Sequence, residues 1–125
     1  LEADFIPVVA SLGADEDGNV LNINADTVAS RICEAISAEK LVLVSDVDGI
    51  LDKDGKLINR VTVPEMESMI QSGVIKGGMV PKAQAIFSVL QGAVHSVHII
   101  NGTKPSSLLT EIFTNTGCGT MIFRS

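Results

Sequence analysis

Two short apolar runs limit the folds that this sequence can adopt. KLVLVSD (40–46) and SVHII (96–100) are continuous rather than alternating in hydropathy. Such runs are typical of parallel strands buried on both faces, because an antiparallel strand with one wet face alternates apolar and polar residues. Helical patterns separate the two runs. Strands alternating with helices predict the α/β class, as a three-layer sandwich around a largely parallel sheet.

Capping residues mark where the helices begin and end. Thr62 and Glu65 have the spacing of a capping box, and glycines at 73 and 92 follow apolar helical patterns as stop signals. Strands are predicted at 5–10, 40–46, 96–100 and 119–123, hairpin turns within 14–20 and 52–58, and helices beginning near Asn24, Thr62, Pro81 and Pro105. Ligands of such sheets bind beyond the carboxyl ends of the strands, which selects SDVDGIL (45–51) and NGTKP (101–105).

Composition excludes several classes of function. The 125 residues make up one domain, 1–125, with 46% hydrophobic and 19% charged residues. A net charge of −6 argues against a nucleic-acid partner, and the apolar runs are too short to span a membrane. Two cysteines, Cys33 and Cys118, without a CxxC spacing favour reduced, structural thiols in a cytoplasmic protein. His95 and His98 are predicted on opposite faces of a strand, so no metal site is predicted.

The stretch VLNINADTVASRI (20–32) places three polar residues at the start of a predicted helix. Asn24 suits the N-cap, and Asp26 suits the positive end of the helix dipole. Capping therefore explains two of the three and leaves Asn22 unassigned. In the functional alternative, Asn22 binds a substrate and Asp26 organises cationic groups around a phosphate.

Lys82 breaks a local rule in VIKGGMVPKAQAIF (74–87), because the positive end of the helix dipole disfavours a cation in the first turn. A bound phosphate would resolve the conflict, since the same turn offers free N–H groups and Gly77 and Gly78 allow a close approach of the backbone. The alternative is a solvated surface lysine after an ordinary loop.

SDVDGIL (45–51) permits a different chemistry. A buried strand leading into Asp-x-Asp-Gly resembles the first motif of haloacid-dehalogenase-type phosphatases, with Asp46 as the nucleophile and Asp48 as the acid–base partner. That family also needs an acidic pair after a later strand, where this chain has Asn101, Gly102 and Thr103. A plain turn is the remaining alternative.

Four motifs in order, NINAD, SDVDGIL, GGMVPK and GTMI, resemble the C-terminal half of the acetylglutamate kinases of the amino-acid kinase superfamily, over about 5–123. The resemblance implies the amino-acid kinase fold and transfer of the γ-phosphoryl group of MgATP to the side-chain carboxylate of N-acetyl-L-glutamate, in arginine biosynthesis. It also implies that Mg²⁺ arrives with the nucleotide and that the full-length protein is a cytoplasmic homo-oligomer.

The resemblance assigns roles residue by residue. It implies that Asn22 binds the acetylglutamate, that Lys82 stabilises the moving phosphoryl group and that Asp26 orients the phosphate-contacting lysines. The nucleotide-binding residues that it implies are Asp46, Val47, Asp48, Gly49, Ile50 and Leu51 on one side and Val74, Ile75, Lys76, Gly77 and Gly78 on the other.

The sequence departs from the family pattern in two respects. The family's N-terminal half, with its glycine-rich phosphate loop, second catalytic lysine and substrate-binding arginine, is not in this chain, so we expect little or no kinase activity from the 125 residues alone. Ser106 and Thr116 stand where arginine-inhibited members carry His and Glu, which argues against feedback inhibition by arginine. Another amino-acid kinase, or a nucleotide-sensing module without turnover, is the alternative within this fold.

Overall fold

A computed structural model describes residues 4–124. In chain order the elements are β1 (Leu12–Ala14), β2 (Val20–Asn22), α1 (Ala25–Ala35), β3 (Lys40–Ser45), β4 (Arg60–Thr62), α2 (Val63–Gln71), α3 (Met79–Gln91), β5 (Ser96–Asn101), α4 (Ser107–Phe113) and β6 (Thr120–Phe123). β1 and β2 form a separate hairpin, and the other four strands form one sheet in the order β3-β5-β6-β4. None of the helices in 4–124 is both long enough and apolar enough to cross a membrane.

The sheet is mostly parallel, as predicted. β3 pairs with β5 and β4 pairs with β6 in parallel, while β5 and β6 run antiparallel. All six residues of β5 are buried, because strands flank it on both edges and helices cover both faces. Val97 and Ile99 join a core with α1, α2 and α3, whereas His98 points to the other face and contacts Glu111 of α4. This arrangement gives the predicted three layers.

Chain direction brings the starts of two helices to the same edge of the sheet. α1 leads into β3 and α3 leads into β5 through short connections, and each helix packs against the strand that follows it. A helix so connected runs antiparallel to its strand, so α1 and α3 both begin where β3 and β5 end. The pairing of Ser45 with Asn101 aligns the ends of these two strands. This edge therefore collects two helix N-termini and two strand ends.

Most predicted boundaries are confirmed. Asn24 caps α1, and the capping box of Thr62 and Glu65 opens α2. Gly92 is the C-cap of α3, and that helix begins at Met79, two residues before Pro81. The turn within 14–20 joins β1 to β2, and the turn within 52–58 closes a short hairpin with a single bridge between Leu51 and Leu57.

The predicted strand at 5–10 is wrong. This segment has no regular structure, and Phe5, Ile6 and Val8 are at least three-quarters exposed. Pro7 lies in its middle and cannot donate to a strand ladder, which explains why its apolar composition is not sufficient for a strand. The first strand pairing instead forms at β1.

Candidate active site at the carboxyl edge of the sheet

An ion pair joins the first turns of α1 and α3. Lys82 Nζ donates to Asp26 Oδ2 at 2.8 Å, and the side chains are 17% and 33% exposed, respectively. Asp26 supplies the negative charge that the dipole of α3 lacks, since the first turn of that helix has no acidic residue. The two residues singled out separately in the sequence therefore form one unit at the helix N-termini.

Asn22, Asn24 and Asp26 have different surroundings in the structure. The Asn24 side-chain oxygen accepts from the Thr27 N–H at 3.1 Å and so caps the helix. Asn22 is exposed at the end of β2, two residues before the cap. Asp26 turns to Lys82 on the neighbouring helix. The Asn24 side chain therefore serves as the cap, Asp26 is held by Lys82, and Asn22 stays exposed.

The loop 46–51 follows β3 and is held by the end of β5. Asp48 Oδ1 accepts from Asn101 Nδ2 at 2.7 Å and from Lys104 Nζ at 2.7 Å. The hydrogen bonds from Lys104 and Asn101 hold the pKa of the Asp48 carboxyl below its usual value. Asn101 Oδ1 in turn accepts from the Thr103 N–H at 2.9 Å. The two segments that the carboxyl-edge rule selected therefore contact each other directly.

A second anchor of this loop is Thr120, which the sequence alone did not reveal. Its hydroxyl accepts from the Ile50 N–H at 2.8 Å and donates to the Ile58 carbonyl at 2.6 Å, and the residue is fully buried. Gly49 has a φ of 145°, and a Cβ there would lie 2.4 Å from Thr120 Oγ1. Thr120 belongs to the GTMI motif, yet only the folded chain shows that it fixes the loop 70 residues earlier.

A cleft of about 210 Å³ separates this loop from the segment before α3. Its lining consists of Gly49, Ile50, Leu51 and Asp52 on one side and Val74, Ile75, Lys76 and Met79 on the other. The N–H groups of Val74 and Ile75 both donate to the Met69 carbonyl, which fixes this segment to the end of α2. Gly77 has a φ of 60°, and no atom lies within 4 Å of an added Cβ at Gly77 or at Gly78. The structure therefore brings residues 49–51 and 74–76 of the two predicted segments to opposite sides of one cleft. The other predicted nucleotide-binding residues do not line it: Asp46, Val47, Asp48, Gly77 and Gly78.

Other cavities of the chain are larger than this cleft. One of about 480 Å³ lies against α1, and one of about 610 Å³ lies beside α4 and includes Arg60, His98 and Thr116. Volume alone does not locate a site, and neither cavity lies where strand ends and helix N-termini converge. Within 4–124 no three His, Cys, Asp or Glu side chains are grouped so that they could hold a metal ion. Cys33 and Cys118 are free thiols, and burial raises the pKa of both.

Comparison with known proteins identifies the family. Residues 1–101 match the sequence model of the amino acid kinase family, and the chain belongs to that family. It is 47% identical over 121 residues to an acetylglutamate kinase from Acinetobacter baumannii and 47% identical over 127 residues to one from Methanococcus maripaludis. These alignments cover 97% and 99% of this chain but only 40% and 43% of the relatives. The chain thus spans about two fifths of their length.

Among solved structures, the chain is similar to an N-acetylglutamate synthase from Neisseria gonorrhoeae crystallised with coenzyme A and L-arginine. The TM-score is 0.83 at 31% identity, over 92% of this chain and 27% of the synthase chain. Membership of the kinase family favours phosphoryl transfer over the phosphatase hypothesis for Asp46 and Asp48. The contacts of Asp48 agree with this, because its carboxylate is held by Asn101 and Lys104.

Proposed function

We propose that this chain is the nucleotide-binding part of an acetylglutamate kinase, the C-terminal half that the four motifs resemble. In this proposal the enzyme transfers the γ-phosphoryl group of MgATP to the side-chain carboxylate of N-acetyl-L-glutamate, in arginine biosynthesis. The observation that carries the proposal is the ion pair of Lys82 and Asp26 between two helix N-termini. Met79, the first residue of the helix that carries Lys82, lines the cleft. Two relatives named acetylglutamate kinase, each 47% identical, support the choice of reaction.

Lys82 is the proposed phosphate-contacting catalytic residue. Phosphoryl transfer requires positioning and charge compensation more than covalent chemistry from the protein. An ammonium group in the first turn of α3, at the positive end of the helix dipole, provides positive charge for a γ-phosphoryl group. The turn offers fewer free N–H groups than the sequence predicted, because Pro81 has none and the Val80 N–H donates to the Gly77 carbonyl at 3.1 Å. Asp26 restricts the position of that ammonium through the 2.8 Å hydrogen bond. We assign Asp26 the role of orienting Lys82.

The nucleotide occupies the cleft between loop 46–51 and segment 74–78 in this proposal. The cleft of about 210 Å³ is smaller than the roughly 300–1,000 Å³ of ordinary ligand pockets, so it holds part of the nucleotide while the rest lies along the open edge. Mg²⁺ arrives with the phosphates. Asn22, exposed on the hairpin that precedes α1, is the proposed contact to acetylglutamate.

The rest of the kinase lies outside this chain. We propose that the remainder of a full-length enzyme supplies the other catalytic groups, and that the whole protein works in the cytoplasm as a homo-oligomer. A coupled assay of ADP release should therefore show little or no turnover by the 125 residues alone. Turnover at the rate of an ordinary enzyme would contradict the proposal that the catalytic groups are shared between this chain and the remainder of the enzyme.

The proposal is tested by a calorimetric titration of the chain with the β,γ-imido analogue of ATP and Mg²⁺. We expect saturable binding that Lys82→Ala weakens by about 10- to 150-fold, because loss of one charge-assisted contact to phosphate costs about 1.5–3 kcal/mol. Lys40→Ala is the matched control, since this exposed lysine lies at the opposite end of β3. If the two substitutions changed the binding affinity equally, Lys82 would be an ordinary surface lysine that does not contact the phosphates.

Three alternatives give different outcomes. A phosphatase using Asp46 and Asp48 would hydrolyse p-nitrophenyl phosphate and lose this activity in Asp46→Asn, whereas we expect no hydrolysis by the unsubstituted chain. A nucleotide-sensing module without turnover would bind the analogue but tolerate Asp26→Asn in a full-length protein. Another amino-acid kinase would bind the same nucleotide and prefer a different acceptor, which an acceptor screen of the full-length enzyme distinguishes.

A further inference from the structure

Glu111 of α4 is a buried carboxylate whose hydrogen bonds lead away from its own helix. Its side chain is 6% exposed, and Oε1 lies 2.6 Å from His98 Nδ1 on β5. Oε2 accepts from the N–H groups of Cys118 at 2.7 Å and Gly119 at 3.1 Å. A buried carboxylate is tolerated only when its oxygens are satisfied in this way. The bonds therefore fix residues 118–119 relative to the middle of the sheet.

The orientation of this carboxylate is itself constrained. His98 Nε2 lies 3.1 Å from the Ser96 hydroxyl, so both ring nitrogens of the imidazole have partners on buried elements. The imidazole cannot rotate without leaving one of them unpaired, and this restricts Glu111 Oε1. The second oxygen of Glu111 then faces the turn before β6.

Residues 118–119 connect Glu111 to the candidate site. A Cβ on Gly119 would lie 2.0 Å from the Ile99 carbonyl, so the turn fits against β5 only in close contact. The next residue is Thr120, whose hydroxyl holds the Ile50 N–H at 2.8 Å. One continuous set of hydrogen bonds and backbone therefore connects Glu111 to Ile50, in the wall of the cleft.

We propose that Glu111 is a positioning residue of the nucleotide cleft, which acts through the N–H groups of residues 118–119 and the hydroxyl of Thr120 on Ile50. This inference rests on the proposed function, because it assigns a role in a cleft that binds nucleotide. Glu111 itself lies on the other face of the sheet and does not line the cleft. A role limited to anchoring α4 would leave Ile50 unaffected by its removal.

Two pairs of variants separate positioning from general stability. Glu111→Leu leaves the N–H groups of Cys118 and Gly119 without an acceptor, whereas Glu111→Gln keeps a carbonyl oxygen that can take both. Thr120→Val removes the hydroxyl at nearly constant shape, whereas Thr120→Ser keeps it. The conservative member of each pair is the rescue control for the disruptive one.

Amide hydrogen exchange and nucleotide affinity are measured on the whole 125-residue chain. In Glu111→Leu and Thr120→Val we expect the Ile50 amide to exchange about tenfold faster relative to the Ile99 amide in β5, and the Mg²⁺ complex of the β,γ-imido ATP analogue to bind about tenfold more weakly. Glu111→Gln and Thr120→Ser should stay within about twofold of the unsubstituted chain. The double variant Glu111→Leu/Thr120→Val should bind no more weakly than Thr120→Val, because both changes break the same connection.

The outcomes distinguish this inference from the proposed function. Failure of the unsubstituted chain to bind the analogue would overturn the nucleotide site and this role together. Normal binding that is unchanged in Thr120→Val or Glu111→Leu would overturn only the positioning role. Equal acceleration of the Ile50 and Ile99 amides would also overturn it, since it would show loss of global stability alone. If Glu111→Leu does not fold, Glu111→Asp takes its place, because the shorter side chain withdraws the acceptor from the same two N–H groups, and unchanged binding in Thr120→Val still overturns the role.

Discussion

Lys82 and Asp26 are 56 residues apart in the chain, and Lys82 Nζ lies 2.8 Å from Asp26 Oδ2. Each residue lies in the first turn of its helix, and the two helices pack side by side with their N-termini at the same edge of the sheet. The cation that is unfavourable at the start of α3 is therefore compensated by an anion that is favourable at the start of α1. Asp26 thereby offsets the unfavourable position of Lys82 and fixes the place of its ammonium group.

The strength of this pair should depend on its burial. We expect a double-mutant cycle of Asp26→Asn and Lys82→Met to give a coupling free energy of about 0.5–1 kcal/mol in denaturant unfolding, decreasing only moderately when salt is raised. Arg31 and Glu34 form the matched control, because their contact on α1 is 3.0 Å and the Arg31 side chain is 73% exposed. A coupling equal to that of the control pair, or fully removed by salt, would contradict the partly buried geometry.

The two asparagines before α1, Asn22 and Asn24, should contribute differently to the free energy of unfolding. Asn24→Ala removes the cap on the Thr27 N–H, and we expect it to lower the free energy of unfolding by about 1 kcal/mol in a urea titration. Asn22→Ala changes an exposed residue and should stay within about 0.5 kcal/mol. A loss in Asn22→Ala as large as that in Asn24→Ala would give Asn22 a structural role instead of the proposed substrate contact.

Structural features that depend only on residues close together in the chain could be predicted from the sequence. The capping box of Thr62 and Glu65, the N-cap at Asn24 and the stop at Gly92 all depend on neighbours within one turn, and all are confirmed. The continuous apolar runs predicted two parallel strands, and β3 and β5 do pair in parallel. The prediction of burial is confirmed for β5 but wrong for β3, which lies at the edge of the sheet with Val44 60% exposed. The rule on strand direction predicted that the segments after β3 and β5 lie at one edge of the sheet, and the contact of Asp48 with Asn101 agrees with this placement.

Long-range relationships could not be predicted in this way. β4 was missed because three residues, Arg60–Thr62, carry no periodicity and lead directly into the capping box of α2. The antiparallel direction of β6 and the bond from Ile50 to Thr120 depend on segments far apart in the chain. The wrong strand at 5–10 shows the converse, since apolar composition without a pairing partner does not form a strand.

Gly49 tests how closely the loop fits against Thr120. Gly49→Ala places a Cβ 2.4 Å from Thr120 Oγ1 and 2.9 Å from Leu57 Cδ1, at a φ of 145°. Gly55→Ala is the matched control, because its φ is 79° and no atom lies within 4 Å of an added Cβ. Thermal or urea unfolding should show a loss of about 1–2 kcal/mol for Gly55→Ala, from backbone strain alone. We expect Gly49→Ala to lower the free energy of unfolding by more than Gly55→Ala does. Equal losses would show that the loop does not pack closely against Thr120.

Glu111 should make the stability of the folded chain depend on pH in the acid range. Burial alone would raise the pKa of Glu111, but the hydrogen bonds from His98 and from the N–H groups of Cys118 and Gly119 outweigh it and hold the pKa below its usual value of 4.5. A carboxyl with a depressed pKa in the folded state contributes stability that is present above its unfolded pKa and is lost as the pH falls through the folded value. The contribution of Glu111 should therefore be constant at neutral pH, begin to decrease below about pH 4.5 and be lost as the pH falls through the folded value.

Urea unfolding of the unsubstituted chain and of Glu111→Gln, between about pH 7 and pH 3, measures this contribution. We expect the difference in unfolding free energy between the two to shrink as the pH falls below the usual glutamate pKa, because the amide cannot take up the proton. Asp48 and Glu65 also have lowered pKa values, and their effects cancel in this difference since both proteins retain them. A difference that stays constant down to about pH 3 would mean that the folded state does not depress the pKa of Glu111.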